Sequence, residues 1–473
     1  LERNNVLTIR EIIEITGAKL LQGEAGGRIT AISTDTRTLK SGELFIALRG
    51  EHYDGHNFLA QAFEKGAAAA LISQPPGAAM DGGLLQASDT LQALGDIAAH
   101  WRRKFDIPVI AVTGSVGKTT AKEMIVSILS QAGEMLATPE NHNNEIGVPL
   151  TALQLDQKHH AAVFELAMRG RGQIRHLAKI VSPTIGVITN IGLSHLELLK
   201  SPDAIAAAKA ELLEVMGKEG IAVLNRACAY YAFLKQKAAR SISFGVGQGD
   251  VSAEDIHAEG EAASFNLRLP PAATLSALGI KAIAGDEALP VKLALPGRHN
   301  IINALAAAAA AFCAGATAQQ IVNGLQAFRG VAGRMRIIRA KEGFAIIDDT
   351  YNASPDSMSA ALNVLTDMEG KRKIAILGEM RELGPNSADF HRAIGREIAR
   401  LPIALLLTVG ELGKEIAFSA AAALSSAAIE PLADAQAVLQ ILSGRLRPGD
   451  VVLVKASRAM GLEVIVEGLL KTS

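Results

Sequence analysis

The sequence predicts an α/β protein of three domains, the second and third each doubly wound around a largely parallel sheet. Three observations carry this. Short apolar runs fit for buried strands alternate with helical patterns through two long stretches, as parallel strands joined by crossover helices require. The chain has 473 residues, too many for a single hydrophobic core. Its residues are 49% apolar but only 4% aromatic, so alanine, leucine and isoleucine must do the packing, which suits helices laid on sheets.

The first segment, residues 1–105, opens on a short helix. Thr8 and Glu11 form a capping box and Gly17 supplies the stop. A second helix is expected over Phe58–Ala70. The second segment, residues 106–316, has strand candidates at Val109–Val112, Ala161–Phe164, Thr184–Thr189 and Ile221–Leu224. Residues 241–295 change character, with short strands and glycine turns that predict an antiparallel edge. The segment closes on a helix over Asn300–Ala314 that is rich in alanine on every face, hence buried and closely packed. The third segment, residues 317–473, repeats the alternation with strands at Phe344–Ile347, Lys373–Leu377, Ala404–Val409 and Val451–Val454, a second, Rossmann-like unit. The stretch Ala417–Ala428 reads as a surface helix.

Several function classes are disfavoured. A net charge of −1 gives no sign of a nucleic-acid partner. No apolar run reaches the length of a membrane span, so no membrane insertion is expected. The N-terminal residues hold no apolar signal-peptide core. Cys228 and Cys313 are too few for a disulfide framework and read as small buried hydrophobes. The expectation is a soluble cytoplasmic protein, monomeric, with small-molecule substrates.

The chemistry is written most plainly where Val109–Val112 runs into Thr113-Gly114-Ser115-Val116-Gly117-Lys118-Thr119-Thr120 and a helical pattern. An apolar strand, a glycine loop, then lysine and threonine opening a helix make a phosphate cradle. Backbone N–H groups and the positive helix end face the anion, the lysine reaches the terminal phosphates, and a hydroxyl meets Mg²⁺. The loop is a variant, with Val112 where the usual pattern has glycine. Glu165 follows the strand Ala161–Phe164, at the carboxyl edge where open α/β sheets bind ligands. His195 follows the next strand through Asn190-Ile191-Gly192 and is a candidate metal ligand. Lys209 sits in a strong helical pattern and by pattern alone is a solvated lysine. Gly297-Arg298-His299-Asn300 with Asn303 gathers polar groups at a helix start. Arg334 follows a glycine turn between the second and third segments, placed to reach phosphates. Asp348-Asp349-Thr350-Tyr351-Asn352-Ala353-Ser354-Pro355 follows another strand, with Ser354 as N-cap and Pro355 at N1. Lys455, Ser457 and Arg458, just past the last strand, offer an anion site.

Together with Asn141-His142-Asn143-Asn144-Glu145-Ile146-Gly147-Val148-Pro149, the loop Thr113–Thr120 resembles the Mur ligases of bacterial cell-wall synthesis. Ser33-Thr34-Asp35-Thr36-Arg37, Phe45–Gly50, Asp54-Gly55-His56, Glu165–Gly170 and Asp349–Met358 extend the resemblance over the whole chain. The nearest branch is the one that joins D-alanyl-D-alanine (D-Ala-D-Ala) to UDP-N-acetylmuramoyl-tripeptide (UDP-MurNAc-tripeptide). The resemblance implies a small α/β domain for the UDP substrate, a central P-loop ATPase domain and a C-terminal Rossmann-like domain for the incoming dipeptide. It implies an ADP-forming ligase. ATP would be held by Thr113–Thr120, with Asn303 and Asn144 at adenine, Arg334 at phosphate and Asp349 at ribose. Two Mg²⁺ ions would be held by Thr119, Glu165, His195 and Lys209, the last as a carbamate. Ser33, Thr34, Arg37, Phe45 and His56 would contact the UDP substrate. Asn352, Ser354, Lys455, Ser457 and Arg458 would contact the dipeptide. A ligase of another branch, or a P-loop NTPase without ligase activity, is the rival reading.

Overall fold

The computed structural model describes residues 7–77, 80–194, 196–280, 287–421 and 428–471. It forms two compact units. One takes the chain up to Ala111 with Gly133–Met168 and Gly172–Thr184; the other takes Val112–Ala132, Arg169–Arg171 and the chain from Ile185 onward.

In the first unit the helix Ile9–Thr16 starts as its sequence dictates. The Glu11 N–H donates to Thr8 Oγ (3.2 Å), the Thr8 N–H donates to the Glu11 carboxylate (2.8 Å), and Gly17 ends the helix. A five-stranded sheet runs in the order Lys19–Gln22, Gly83–Gln86, Ala69–Ile72, Leu44–Ile46, Ile32–Ser33. All its joints are parallel except that of Lys19–Gln22. The helix expected over Phe58–Ala70 is shorter, covering only Leu59–Glu64. Ala69–Ile72 is instead a fully buried strand. Four apolar residues in a row fit a helix tail and a buried strand equally well, and strand neighbours on both sides decide it. The helix Thr90–Arg102 ends in two anchors. Trp101 Nε1 donates to the carbonyl of Leu155 (3.0 Å), and the buried Arg102 guanidinium donates to the carbonyls of Val181 (2.8 Å) and Phe105 (2.9 Å). The strand Ala161–Glu165 pairs in parallel with Met135–Ala137.

In the second unit Ile185–Ile188, Ile221–Asn225 and Arg240–Val246 are parallel neighbours. The expected antiparallel edge starts one strand late. Val251–Glu259 still pairs in parallel, and Ala262–Arg268 and Leu289–Leu293 then pair antiparallel. The helix Arg298–Cys313 is buried as its composition predicts, with Ala304–Ala311 wholly inaccessible. It packs on the helix Lys118–Leu129, as does Ala318–Ala327, whose Gly324 carbonyl accepts from Ser127 Oγ (2.7 Å).

A six-stranded sheet follows in the order Arg336–Arg339, Ala345–Asp349, Asp450–Lys455, Arg372–Leu377, Leu405–Val409, Ala428–Leu432. Only its first joint is antiparallel. Side chains alternate across it as the two-residue period demands. Ile347, Leu377 and Leu453 face one apolar layer; Ile346, Ile376 and Val454 face the other. Two local readings change. The helix Glu411–Ala421 is not a plain surface helix, since Ile416, Ala417 and Ala420 are buried. Residues 422–427 lie outside the described residues, and Ala428–Leu432 is an edge strand, the one sheet position that accommodates Pro431.

Candidate active site

The strand Val109–Thr113 leads into the loop, and Lys118 opens the helix. Its two glycines are sterically required. Gly114 has φ +152°, and a Cβ there would lie 1.9 Å from Thr189 Oγ1; Gly117 has φ +81°, and a Cβ would lie 2.3 Å from Asn303 Oδ1. The loop is braced by the turn after Ile185–Ile188. Asn190 Oδ1 accepts from the N–H groups of Ser115 (3.0 Å) and Val116 (2.9 Å), and Thr189 Oγ1 donates to the Val116 carbonyl (2.6 Å). Ser115 Oγ accepts from the Gly192 N–H (2.9 Å). Asn190 and Thr189, to which the sequence assigns no contact, therefore set the loop's shape.

Positive charge gathers on one carbonyl. Lys118 Nζ (3.0 Å) and Lys209 Nζ (2.9 Å) both donate to the Gly114 oxygen. Lys209 is 2% exposed. Burial first, and the nearby Lys118 cation second, push it well below the ordinary lysine range. The solvated lysine that the helical pattern alone predicts is therefore corrected. Arg334 joins this group. Its guanidinium stacks 3.8 Å from the centre of the Tyr351 ring, Nη2 donates to Thr119 Oγ1 (3.2 Å), and Nε is buried with no partner among the described residues. Thr119 and Thr120 are buried. Thr113 is buried too, its hydroxyl without a partner among the described residues. Asn303 donates to Asn300 Oδ1 (3.3 Å) and presses its own oxygen on Gly117, so it packs against the phosphate loop.

Asp349 and Lys455 face each other in register on adjacent strands. Lys455 Nζ lies 2.5 Å from Asp349 Oδ2 and 2.8 Å from the Asn352 carbonyl oxygen, and Asp349 Oδ1 accepts from the Met335 N–H (3.1 Å). The expected placement of Lys455 just past the strand is corrected, because it is the strand's last residue, 1% exposed and held by Asp349. Burial draws Lys455 below the usual lysine range, with Asp349 opposing. Loss of solvent also carries nearby His299 down to about 4. Ser354 caps the helix Pro355–Asp367, its N–H donating to Ser357 Oγ (2.9 Å). Asn352 Oδ1 accepts from the Ala353 N–H (2.9 Å). Ser457 is buried and accepts from the Arg381 N–H (2.8 Å). Arg458 is largely exposed, paired with Glu463 (3.1 Å) and 5.8 Å from the Tyr351 ring.

The first unit carries the remaining candidates. Glu165 ends its strand buried, with its N–H on Thr138 Oγ1 (3.1 Å) and its Oε1 accepting from Asn143 Nδ2 (2.8 Å); Oε2 is buried and has no partner among the described residues. Asn144 Oδ1 accepts from the N–H groups of Ile146 (3.2 Å) and Gly147 (2.9 Å), so it shapes its own turn. A cavity of about 870 Å³ is lined by Ser33, Thr34, Asp35, His142 and Asn144 among others. Of the remaining UDP-substrate candidates, Phe45 is in the apolar core. His56 is held between Asp54 (2.6 Å) and the Ser73 N–H (3.0 Å). Arg37 is exposed and paired with Asp35 (2.6 Å). His195 lies outside the described residues. Among the described residues, no three His, Cys, Asp or Glu side chains gather as a metal site, and no helix is long and apolar enough to cross a membrane.

This geometry can bind a polyphosphate in the second unit: a braced amide loop, Lys118, and an arginine with an unsatisfied N–H. Comparison with known proteins agrees. Residues 28–102 match the Mur ligase family catalytic domain, 112–311 the Mur ligase middle domain, and 333–458 the Mur ligase glutamate ligase domain. A UDP-N-acetylmuramoyl-tripeptide–D-alanyl-D-alanine ligase of Synechocystis sp. is 41% identical over 446 residues, covering 94% of this chain and 92% of the relative.

The chain belongs to the Mur ligase family.

The Escherichia coli ligase of the same name is 36% identical over 95% of this chain and 96% of its own length. Among solved structures, MurF from Acinetobacter baumannii superposes with a TM-score of 0.89 at 32% identity, covering 98% of this chain and 99% of that one. MurF ligase from Thermotoga maritima, in complex with ADP, gives 0.82 at 27% identity, covering 93% and 97%.

Proposed function

We propose that the protein is an ATP-dependent ligase that joins D-Ala-D-Ala to UDP-MurNAc-tripeptide, forming ADP and phosphate. The observation that carries this reading is Arg334, donating to Thr119 of the phosphate loop while its Nε remains buried and unpartnered. A buried N–H without an acceptor costs about 1–3 kcal/mol, and a phosphate oxygen is the acceptor this loop is built to bring. The relatives' names and the ADP-bound Thermotoga structure support the same substrates.

In the first step the terminal carboxylate of the tripeptide attacks the γ-phosphorus of ATP and ADP leaves, giving an acyl phosphate. In the second, the dipeptide amine attacks the acyl carbon and inorganic phosphate departs. Oxide is a poor leaving group from a carboxylate, whereas phosphate leaves readily from the acyl phosphate. The protein's contribution is positioning and charge neutralisation. Lys118 and the amides of Gly114–Thr120 hold the triphosphate, Arg334 supplies a second cation, and Asn303 and Asp349 take the nucleoside end. Of the dipeptide candidates, Ser354 and Arg458 have the stronger case, since Lys455 is engaged by Asp349.

Mg²⁺ fits the residues present, because Glu165 keeps a buried oxygen with no partner and Thr119 a hydroxyl on the loop helix. We assign Thr119, Glu165, His195 and a carbamate on Lys209, each by itself, as candidate ligands of Mg²⁺, two ions in all. When bound, the metal neutralises phosphate charge. A carbamate needs a neutral lysine amine, and the burial of Lys209 favours one. We assign the UDP moiety to the first domain, residues 1–105, with Ser33 and Thr34 on its cavity. ATP goes to residues 106–316 and the dipeptide to residues 317–473. The cytoplasm, where ATP and UDP-linked precursors are available, is the compartment this chemistry needs.

Phosphate release tests the reading. With ATP and UDP-MurNAc-tripeptide present, D-Ala-D-Ala should stimulate release strongly, and D-Ala or glutamate should not. Equal release with no amine at all would favour the plain NTPase.

A further inference from the structure

Glu165 is held in an unusual way. Its carboxylate is 2% exposed and lies at a strand end, with one oxygen bonded and the other bare. The bonded oxygen meets Asn143 Nδ2 at 2.8 Å, a neutral amide. The contact is doubled through the backbone, because the Ala167 N–H donates to the Asn143 carbonyl (3.0 Å). The Glu165 N–H is also fixed, on Thr138 Oγ1. The neighbouring asparagine bonds elsewhere. Asn144 Oδ1 accepts from the N–H groups of Ile146 and Gly147 and closes the turn that presents Asn143.

A buried carboxylate without a partner on one oxygen is costly. A cationic neighbour would have relieved that cost by pairing with the group. An amide relieves little of it, but it fixes the rotation of the carboxylate plane. That choice leaves Oε2 open to a ligand and aims it in one direction. Groups that orient metal ligands in this manner commonly matter about 10–100-fold for metal affinity.

We propose that Asn143 is a positioning residue. It locks the Glu165 carboxylate so that Oε2 is presented to a divalent cation, while Asn144 holds the turn. The inference rests on the metal role assigned to Glu165 above.

The test is Mn²⁺ binding to the full-length protein with a non-hydrolysable ATP analogue, followed by electron paramagnetic resonance of free Mn²⁺. UDP-MurNAc-tripeptide binding is measured in parallel by calorimetry. Asn143→Ala should weaken Mn²⁺ binding about 10-fold or more, Glu165→Gln at least as much, and the affinity for the UDP substrate should be unchanged in both. Asn143→Ser, too short to reach Glu165, should repeat the loss and serves if the alanine variant does not fold. Weak Mn²⁺ binding in Glu165→Gln with parental binding in the Asn143 variants would overturn the proposal alone. Equal weakening of Mn²⁺ and UDP-substrate binding by Asn143→Ala would also overturn it, since a disturbed turn then explains both. Parental Mn²⁺ binding in Glu165→Gln would overturn the metal role of Glu165 and this inference with it.

Discussion

Replacing Lys455 with methionine separates two readings of the C-terminal sheet. Taken alone, the position of Lys455 after a strand makes it an anion receptor for substrate. In the structure it is 1% exposed and 2.5 Å from Asp349 Oδ2, with a further bond to the Asn352 carbonyl. Lys455→Met keeps the length and most of the packing but leaves the Asp349 carboxylate buried, with the Met335 N–H as its remaining bond in the pair. Breaking a buried ion pair from one side costs about 3–5 kcal/mol. For the domain of residues 317–473, 157 residues long, each kcal/mol is worth roughly 3 °C, so its transition should fall by about 10–15 °C. Adding Asp349→Asn to Lys455→Met removes the orphaned charge and should recover much of the loss. Differential scanning calorimetry at pH 7 on the three variants measures both. A Lys455→Met protein that melts with the parent, and suffers only in its KM for the dipeptide, would refute the buried-pair account and restore the receptor.

Three further outcomes follow from the same geometry. Lys118→Ala should lower the rate of ADP formation about 10²–10³-fold, read in a coupled assay with both substrates present, while far-UV circular dichroism stays parental. Lys209→Ala should be inactive and regain part of its activity with added formate or acetate, a carboxylate standing in for the carbamate; activity at the parental level without additive would remove Lys209 from the site. His391 is wholly buried, Nε2 accepting from the Met380 N–H (2.9 Å) and Nδ1 donating to the Ser387 carbonyl (2.6 Å), and burial lowers its pKa. Its native pKa lies below the unfolded value, so its stabilisation is complete above about pH 6.5 and is lost as pH falls through the lower native value. Protonation forfeits the Met380 bond, worth about 1–3 kcal/mol. Urea unfolding at pH 7 and pH 5 should therefore show a smaller pH effect in His391→Gln than in the parent.

Much of this was legible in the sequence, for a physical reason. The phosphate loop is contiguous: strand, glycines, lysine and hydroxyl fall within a dozen residues, so their spacing alone encodes their geometry. Strands such as Ala345–Asp349 and Arg372–Leu377 were legible because each holds an apolar run, Phe344–Ile347 and Ile374–Leu377, that is buried on both faces. The pairing of Asp349 with Lys455 was not. It depends on Asp450–Lys455 entering the sheet between Ala345–Asp349 and Arg372–Leu377, a register that no local pattern reveals. Lys209 looked solvated because a helical repeat says which residues share a face but not which face is covered. Phe45 and His56 belong to a motif that mixes core and ligand-facing residues, and their burial sorts them. Asn143 and Asn190 stood within the motifs that carry the resemblance, but a motif does not say which group each amide holds. Their position directly beside a strand's carboxyl end or a phosphate loop was the signal available.

The central claim is that ATP is used to activate the tripeptide's terminal acid before the amine arrives. UDP-MurNAc-tripeptide labelled with oxygen-18 in that carboxylate, turned over with ATP and D-Ala-D-Ala, tests it most directly by mass spectrometry of the inorganic phosphate. The account predicts one labelled oxygen per phosphate released. Inorganic phosphate free of the label would contradict it.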